Sequence, residues 1–325
     1  MDLLDRLRLE HPILQAGMGG GLARAELAGA VSAAGALGTV GILPPPVLRD
    51  ELRRAREIAG EGRPVAANLL LPFTRKAHVD ACADGGAEVV VLFWGFDARL
   101  VSALHQRGIV VLHQVGSVEA VRRAVAEGVD GVIAQGLEAG GHLSATEPLE
   151  TFLPQAIDAA GGKPVLAAGG MARRADVERA LGVGATAVVA GSRFLLTDES
   201  RAHAEYKRRA LGATRTIDTK LFGFGWPARH RVLPNAATER WERHPRLTDA
   251  LTAPTAALGR LIPLAAASRM PAMQRAWLPL FGPAAPLEGM PDRLLEVTPL
   301  YAGECVRQID SVIPAADAVR ELAGA

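Results

Sequence analysis

Residues 164–195, PVLAAGGMARRADVERALGVGATAVVAGSRFL, decide the fold. The stretch opens on an apolar run, Pro164–Gly170, that ends in paired glycines. A segment rich in Ala, Arg and Glu follows over Arg174–Gly184 and stops at a glycine. A second apolar run, Ala187–Phe194, carries Gly191-Ser192-Arg193 near its end. Nearly continuous apolar runs suit parallel strands buried on both faces, and a glycine is a natural stop for the helix between them. The stretch therefore reads strand, helix, strand.

The same beat runs back to the start of the chain. Six further apolar runs precede it: Ile13–Gly17, Leu37–Leu43, Val65–Leu70, Val89–Gly95, Val110–Val115 and Gly131–Gly136. Between them lie amphipathic segments such as Ser117–Gly128, which starts on a Ser N-cap and places Val118, Val121 and Val125 on one face. Pro46–Gly62 has the same character. Alternation of this kind leads to an open doubly wound sheet or to a closed barrel. A dinucleotide-binding sheet would want GxGxxG after its first strand, whereas Met18-Gly19-Gly20-Gly21 lacks that spacing. Eight units in about 200 residues match an α/β (β/α)₈ TIM barrel, expected over residues 1–213. The beat then stops. Residues 214–299 are proline-rich and read as a helical cap or lid, with an apolar helix over Leu258–Met273 interrupted by Pro263 and Pro271. Residues 300–325 read as a tail packing back on the barrel, with a short closing helix over Pro314–Leu322.

Composition narrows the partners. Lys+Arg number 36 against 35 Asp+Glu, so a net charge of +1 offers no electrostatic case for nucleic acid or an anionic membrane. Cys82 and Cys305 are too few and too far apart for a disulfide framework or a zinc site. The N-terminus lacks a signal-peptide pattern, and no run approaches the ~18 apolar residues of a membrane span. The expectation is a soluble cytoplasmic protein that acts on a small molecule and holds no metal. A homodimer stays open.

In such a barrel the chemistry sits at the C-terminal ends of the strands. Gly169-Gly170 and Gly191-Ser192-Arg193 end the seventh and eighth runs, where backbone amides of this fold recurrently hold a phosphate. Ala16-Gly17-Met18 offers small-residue backbone against which a planar ring can lie. Asn68 and Gln114 are amides inside apolar strands. Each needs a partner, because an unpaired buried amide costs about 1–3 kcal/mol; a cofactor, a neighbouring side chain or water could supply it. His142 follows Ala139-Gly140-Gly141, which shields it little, so it projects into the mouth as a candidate for moving a proton. Glu138 could pair with His142 or with a loop amide. His113 ranks a distant second, and the other six histidines are read as structural or surface groups.

Taken together, HPILQAGMGGG (11–21), AANLLLP (66–72), GVDGVIAQGLEAGGH (128–142), the 164–195 stretch and PLYAGECVRQI (299–309) resemble the nitronate monooxygenases, formerly called 2-nitropropane dioxygenases. Residues about 225–295 contribute little to the likeness. The resemblance implies an FMN-containing barrel that oxidises alkyl nitronates, in some members nitroalkanes, with O₂ to carbonyl compounds and nitrite, without a metal. By position, it implies that Ala16, Gly17 and Met18 back the flavin ring. Asn68, Gln114 and Gln135 would contact the ring or ribityl chain, and Gly140 would lie close by. Gly169, Gly170, Gly191, Ser192 and Arg193 would hold the phosphate, and His142 would be the base or substrate-orienting group.

Two departures bear on the substrate. Many members follow the histidine with a basic residue and glycine, where this chain has Leu143-Ser144, and position 114 is often Lys in relatives. The same scaffold occurs in NAD(P)H-dependent flavin reductases acting on quinones or enoyl thioesters, which is the alternative reading. A barrel of the IMP-dehydrogenase kind would want a nucleophilic cysteine in a mouth loop, and the expected positions of Cys82, in a helix, and Cys305, in the tail, argue against it. A non-catalytic flavoprotein is a further reading.

Overall fold

The apolar runs fold into eight parallel strands: β1 (Ile13–Gln15), β2 (Gly38–Val40), β3 (Val65–Leu70), β4 (Val89–Phe93), β5 (Val110–Val115), β6 (Gly131–Gln135), and, after an off-barrel strand β7 (Gly141–Leu143), β8 (Val165–Ala168) and β9 (Ala187–Ala190). The computed structural model describes residues 3–226, 228–255 and 270–324. Neighbouring strands pair in sequence from β2 to β9, and β9 pairs with β1. A Leu14–Leu37 bridge, with Gln15 N–H donating to Leu37 O at 2.9 Å, joins β1 to β2 and closes the ring. This is the expected (β/α)₈ barrel.

The helices outside it are α1 (Leu3–Leu7), α2 (Ala25–Ala33), α3 (Pro45–Ala59), α4 (Lys76–Gly85), α5 (Ala98–His105), α6 (Val118–Ala126), α7 (Leu149–Ala160) and α8 (Arg174–Val183). Their ends follow local chemistry. Ser117 Oγ accepts from Ala120 N–H at 3.3 Å to start α6, and Gly184 at φ +112° ends α8 in the left-handed region. The last helix, Ala315–Ala323, packs against α2 and α8 and lends Ala315, Ala318, Val319 and Leu322 to the core.

Side chains alternate between two cores. Leu14, Ala66, Val89, Val91, Val110, Leu112, Ile133, Leu166 and Val189 fill the barrel axis, and Leu3 and Leu7 of α1 plug its N-terminal end. Their strand neighbours Val90, Leu92, Val111, Val132, Ala167 and Val188 face the helices. The two-residue period therefore carries Ala66 to Asn68, Leu112 to Gln114 and Ile133 to Gln135, all inward and one step nearer the mouth. His113 has the opposite parity. It is buried in the strand–helix layer, 4.9 Å from the Phe96 ring, which removes it as a candidate in the mouth.

Residues 214–299 hold helices at Ala236–Trp241 and Pro245–Thr252, and also two strands that the sequence reading did not foresee. Strands β10 (Ile217–Thr219) and β11 (Arg229–Val232) pair antiparallel, and β11 pairs antiparallel with β7. These strands are short and carry Asp218, Arg229, His230 and Arg231, so no apolar run announces them. Most of the helix expected over Leu258–Met273 lies outside the described residues; its last turn, Met270–Met273, is helical. No helix among the described residues is long and apolar enough to cross a membrane.

Burial pushes the His113 imidazole down to about 4 from its ordinary value of 6.5. The folded interior denies it a proton that the unfolded chain accepts below pH 6.5. Its stability contribution is therefore whole above pH 6.5 and lost as pH falls towards about 4. His113→Leu should flatten that part of the pH dependence, by up to about 3 kcal/mol at the acid limit. Urea unfolding of both proteins at pH 7.5 and pH 4.5 checks this, and equal losses in the two overturn it.

Candidate active site

A cavity of about 480 Å³ opens at the C-terminal mouth of the barrel. Ala16, Gly17, Met18, Asn68, Gln114, Gln135, Gly140, His142, Gly169, Gly170, Gly191 and Ser192 all line it. Of the residues to which the family resemblance gives a role, only Arg193 is missing from the lining. That side chain is buried away from the mouth, where Nη2 donates to Leu196 O at 2.7 Å and Ser311 O at 2.8 Å. Arg193 ties down the C-terminal tail, so its side chain is not placed to meet an anion in the cavity.

One end of the cavity is made of backbone. Strands β8 and β9 are neighbours, which brings their following loops together. Gly169 and Gly170 have φ of +119° and +77°, a conformation that other residues rarely adopt. The Asp176 carboxylate pins the loop after them by accepting from Ala172 N–H at 3.1 Å and Arg173 N–H at 3.0 Å. Among the described residues, the N–H groups of Gly169, Gly170, Gly191 and Ser192 donate to no other group of the chain. Four free amides at adjoining strand ends make a site for an oxyanion.

The middle of the cavity is neutral and polar. Asn68 Nδ2 donates to Val91 O at 3.1 Å, which leaves its carbonyl oxygen for another partner. Gln114 makes no side-chain hydrogen bond within the described chain. Gln135 is committed: Nε2 donates to His142 O at 2.9 Å, and Oε1 accepts from Ser144 N–H at 2.9 Å and Ser144 Oγ at 3.0 Å. Its amide holds the β6–β7 turn. Glu138 accepts from Leu149 N–H at 3.2 and 3.0 Å, so it pairs with a loop amide and not with His142. Among the described lining residues Arg24 is the only Lys, Arg, Asp or Glu, and it is paired with Glu51 at 3.0 Å.

The far end is aromatic. His142 sits on β7 opposite His230 of β11. The Trp226 ring stacks on it at 3.9 Å and 20°, the His230 ring meets it at 4.7 Å and 87°, and Tyr301 lies at 5.6 Å. Nε2 of His142 is enclosed without a hydrogen-bond partner among the described residues. Burial first, and the neighbouring His230 second, pull the His142 pKa well below its ordinary value, so the imidazole is neutral at physiological pH. Trp94 stands behind Trp226 at 5.2 Å, on a backbone with φ +66° that is rare for a bulky residue and clusters at functional sites. Sequence reading missed Trp94, Trp226, His230 and Tyr301. A signal was present: the chain has 4 Trp and 2 Tyr, and both tyrosines and Trp226 line this one cavity.

The tail completes the wall. Gly303 N–H donates to Ser192 Oγ at 2.8 Å, and Glu304 N–H to Glu138 O at 2.9 Å. This brings Cys305 to the cavity lining, contrary to the expectation that a tail cysteine stands apart from the mouth. Burial pushes its thiol up to about 12, so it supplies no thiolate nucleophile near neutral pH.

The nitronate monooxygenase family model matches residues 2–84 and 72–324. A Mycobacterium tuberculosis (3aS,4S,5R,7aS)-5-hydroxy-7a-methyl-1-oxo-octahydro-1H-indene-4-carboxyl-CoA dehydrogenase is 34% identical over 74% of this chain and 68% of its own length. The nitroalkane oxidase from Streptomyces ansochromogenes superposes with a TM-score of 0.79 at 27% identity, over 99% of this chain and 96% of that one. FabK from Thermotoga maritima superposes with a TM-score of 0.78 at 26% identity, over 98% and 94%.

Gly140 shows how tightly tail and mouth are joined. A Cβ there would lie 2.5 Å from Gly303 N and 2.6 Å from Ala302 C, both backbone atoms that cannot turn aside. Gly140→Ala should therefore lower stability by roughly 1–3 kcal/mol through overpacking. Thermal unfolding reads the loss, and an unchanged midpoint would show that the tail yields freely.

Proposed function

The chain belongs to the nitronate monooxygenase family, and from that premise we propose that it binds FMN in the barrel mouth and oxidises alkyl nitronates with O₂ to carbonyl compounds and nitrite. One observation carries the reading: four unpaired amides at the ends of β8 and β9 share a cavity with a neutral histidine. That arrangement fits a planar heterocycle with a terminal phosphate. Gly169, Gly170, Gly191 and Ser192 would take the phosphate through their N–H groups. Ala16, Gly17 and Met18 would lie against the ring, with Gly140 nearby, and the free carbonyl of Asn68 and the uncommitted amide of Gln114 would meet its polar edge. Bound FMN would supply the electron acceptor and the reaction with O₂.

The protein's own part is to receive and orient the substrate. A neutral imidazole at His142 can donate one hydrogen bond to an oxygen of the nitronate. Its depressed pKa makes it a weak base, which supports a preformed nitronate over a nitroalkane that must first lose a carbon-bound proton. Phe224, Trp226 and Tyr301 exclude water at that end, which strengthens any hydrogen bond made there.

A second reading is a nicotinamide-dependent flavin reductase acting on a quinone or an enoyl thioester. It is favoured by the apolar outer wall, where Leu22, Ile42, Leu43, Val47 and Leu287 suit an acyl chain or fused rings better than a small nitronate.

Anaerobic mixing of the FMN-loaded protein with ethyl nitronate, NADH or NADPH separates the two. The expected outcome is loss of the oxidised flavin absorbance with the nitronate and not with either nicotinamide; rapid bleaching by a nicotinamide alone selects the reductase. Protein that takes up no FMN overturns both. His142→Ala should keep FMN and lose nitronate turnover by roughly 10²-fold or more, and turnover equal to the parent removes His142 from the chemistry.

A further inference from the structure

His230 takes no part in the chemistry assigned so far, yet its placement breaks a local rule. It lies on β11 at the register position opposite His142, it is fully buried, and neither ring nitrogen makes a well-formed hydrogen bond to the described residues, although the Phe222 backbone interacts with the ring. A leucine or phenylalanine could occupy that interior without stranding polar atoms, each of which costs about 1–3 kcal/mol. The surrounding wall is otherwise aromatic, from Phe222, Trp226 and Tyr301. A polar residue placed at a cost to the stability of its own site points to function.

The geometry supplies a use for it. The enclosed nitrogen of His142, Nε2, also lacks a partner among the described residues. Three polar side chains touch the His142 ring from the cap and tail. The Tyr301 hydroxyl is spent on Pro283 O at 2.7 Å. The Trp226 indole lies nearly parallel to the His142 ring at 3.9 Å, so its N–H cannot point along that ring's plane. His230 remains, with its ring perpendicular to that of His142 and the centroids 4.7 Å apart, so that the edge of one imidazole meets the other.

We propose that His230 is the positioning residue of His142: a small rotation brings a nitrogen of His230 onto Nε2 of His142, which fixes the tautomer and turns the other nitrogen towards the substrate. Trp226, stacked on the His142 ring, holds its plane while His230 holds the rotation about it. In an imidazole, the hydrogen bond made by one nitrogen decides which nitrogen carries the proton. A partner that sets the tautomer therefore decides whether His142 offers a donor or a lone pair. The inference rests on the proposed role of His142.

The test compares His230→Leu, His230→Gln and His142→Ala as full-length, FMN-loaded proteins with ethyl nitronate as substrate. Expected for His230→Leu are unchanged FMN affinity by fluorescence titration and an unchanged or raised melting temperature. Its kcat should fall by roughly 10- to 100-fold with KM within about twofold. The glutamine variant, which keeps an N–H donor, should recover much of the lost kcat. Parental kcat in His230→Leu, beside an inactive His142→Ala, overturns the positioning role and leaves the function standing. Parental kcat in His142→Ala overturns the role of His142 itself. Should His230→Leu fail to fold, His230→Phe is read in its place by the same criteria.

Discussion

The molecule depends on the two-residue period of its parallel strands once they are closed into a ring. Closure through the Leu14–Leu37 bridge makes all eight inward faces converge on one axis and all eight C-terminal ends open on one mouth. Asn68, Gln114 and Gln135 reach the cavity because they share parity with Ala66, Leu112 and Ile133 of the axial core. A one-residue slip on β5 would bury Gln114 among the helices and raise His113 into the mouth. The helices secure the register from outside, since Val111 and Val115 on that strand must face them.

Within this frame the cavity handles charge without charged groups. Arg24, the one cation among its described lining residues, is already paired, and its polar end consists of amides at the left-handed Gly169-Gly170 turn and at the end of β9. Amide dipoles oriented by rigid strand ends attract an anion without bringing a competing titration into the site. At the opposite end, burial keeps His142 and His230 neutral, the latter with a pKa of about 3. Two neutral imidazoles in an aromatic wall act through direction of hydrogen bonding more than through basicity.

The two ends are held by different parts of the chain. The ends of β8 and β9, with the Asp176 carboxylate of α8, set the amide end. The histidine end is assembled from three distant segments: β7, which the Gln135 amide fastens to β6; β11, which pairs with β7; and the tail at Tyr301–Gly303, which packs on Gly140. The Ser192–Gly303 hydrogen bond links the two ends directly. A change in the tail is therefore felt at both.

The barrel was legible in the sequence because strand burial and helix stops are local. Apolar runs of five to eight residues, a Ser at a helix start and a Gly at φ > 0 carry their meaning within a few positions, and the paired glycines marked the amide end for the same reason. His142 was legible as a side chain left unshielded by Gly140-Gly141. The side chains around it were not. Strand β11 is four residues long and carries Arg229, His230 and Arg231, so nothing local distinguishes it from a loop. Its existence, and with it the pairing of His142 with His230, comes from a register between segments some ninety residues apart. The direction of Arg193 and the arrival of Cys305 at the mouth were likewise decided by the path of the tail. Periodicity reports which face of its own element a residue occupies; which distant element covers that face is settled only when the chain packs.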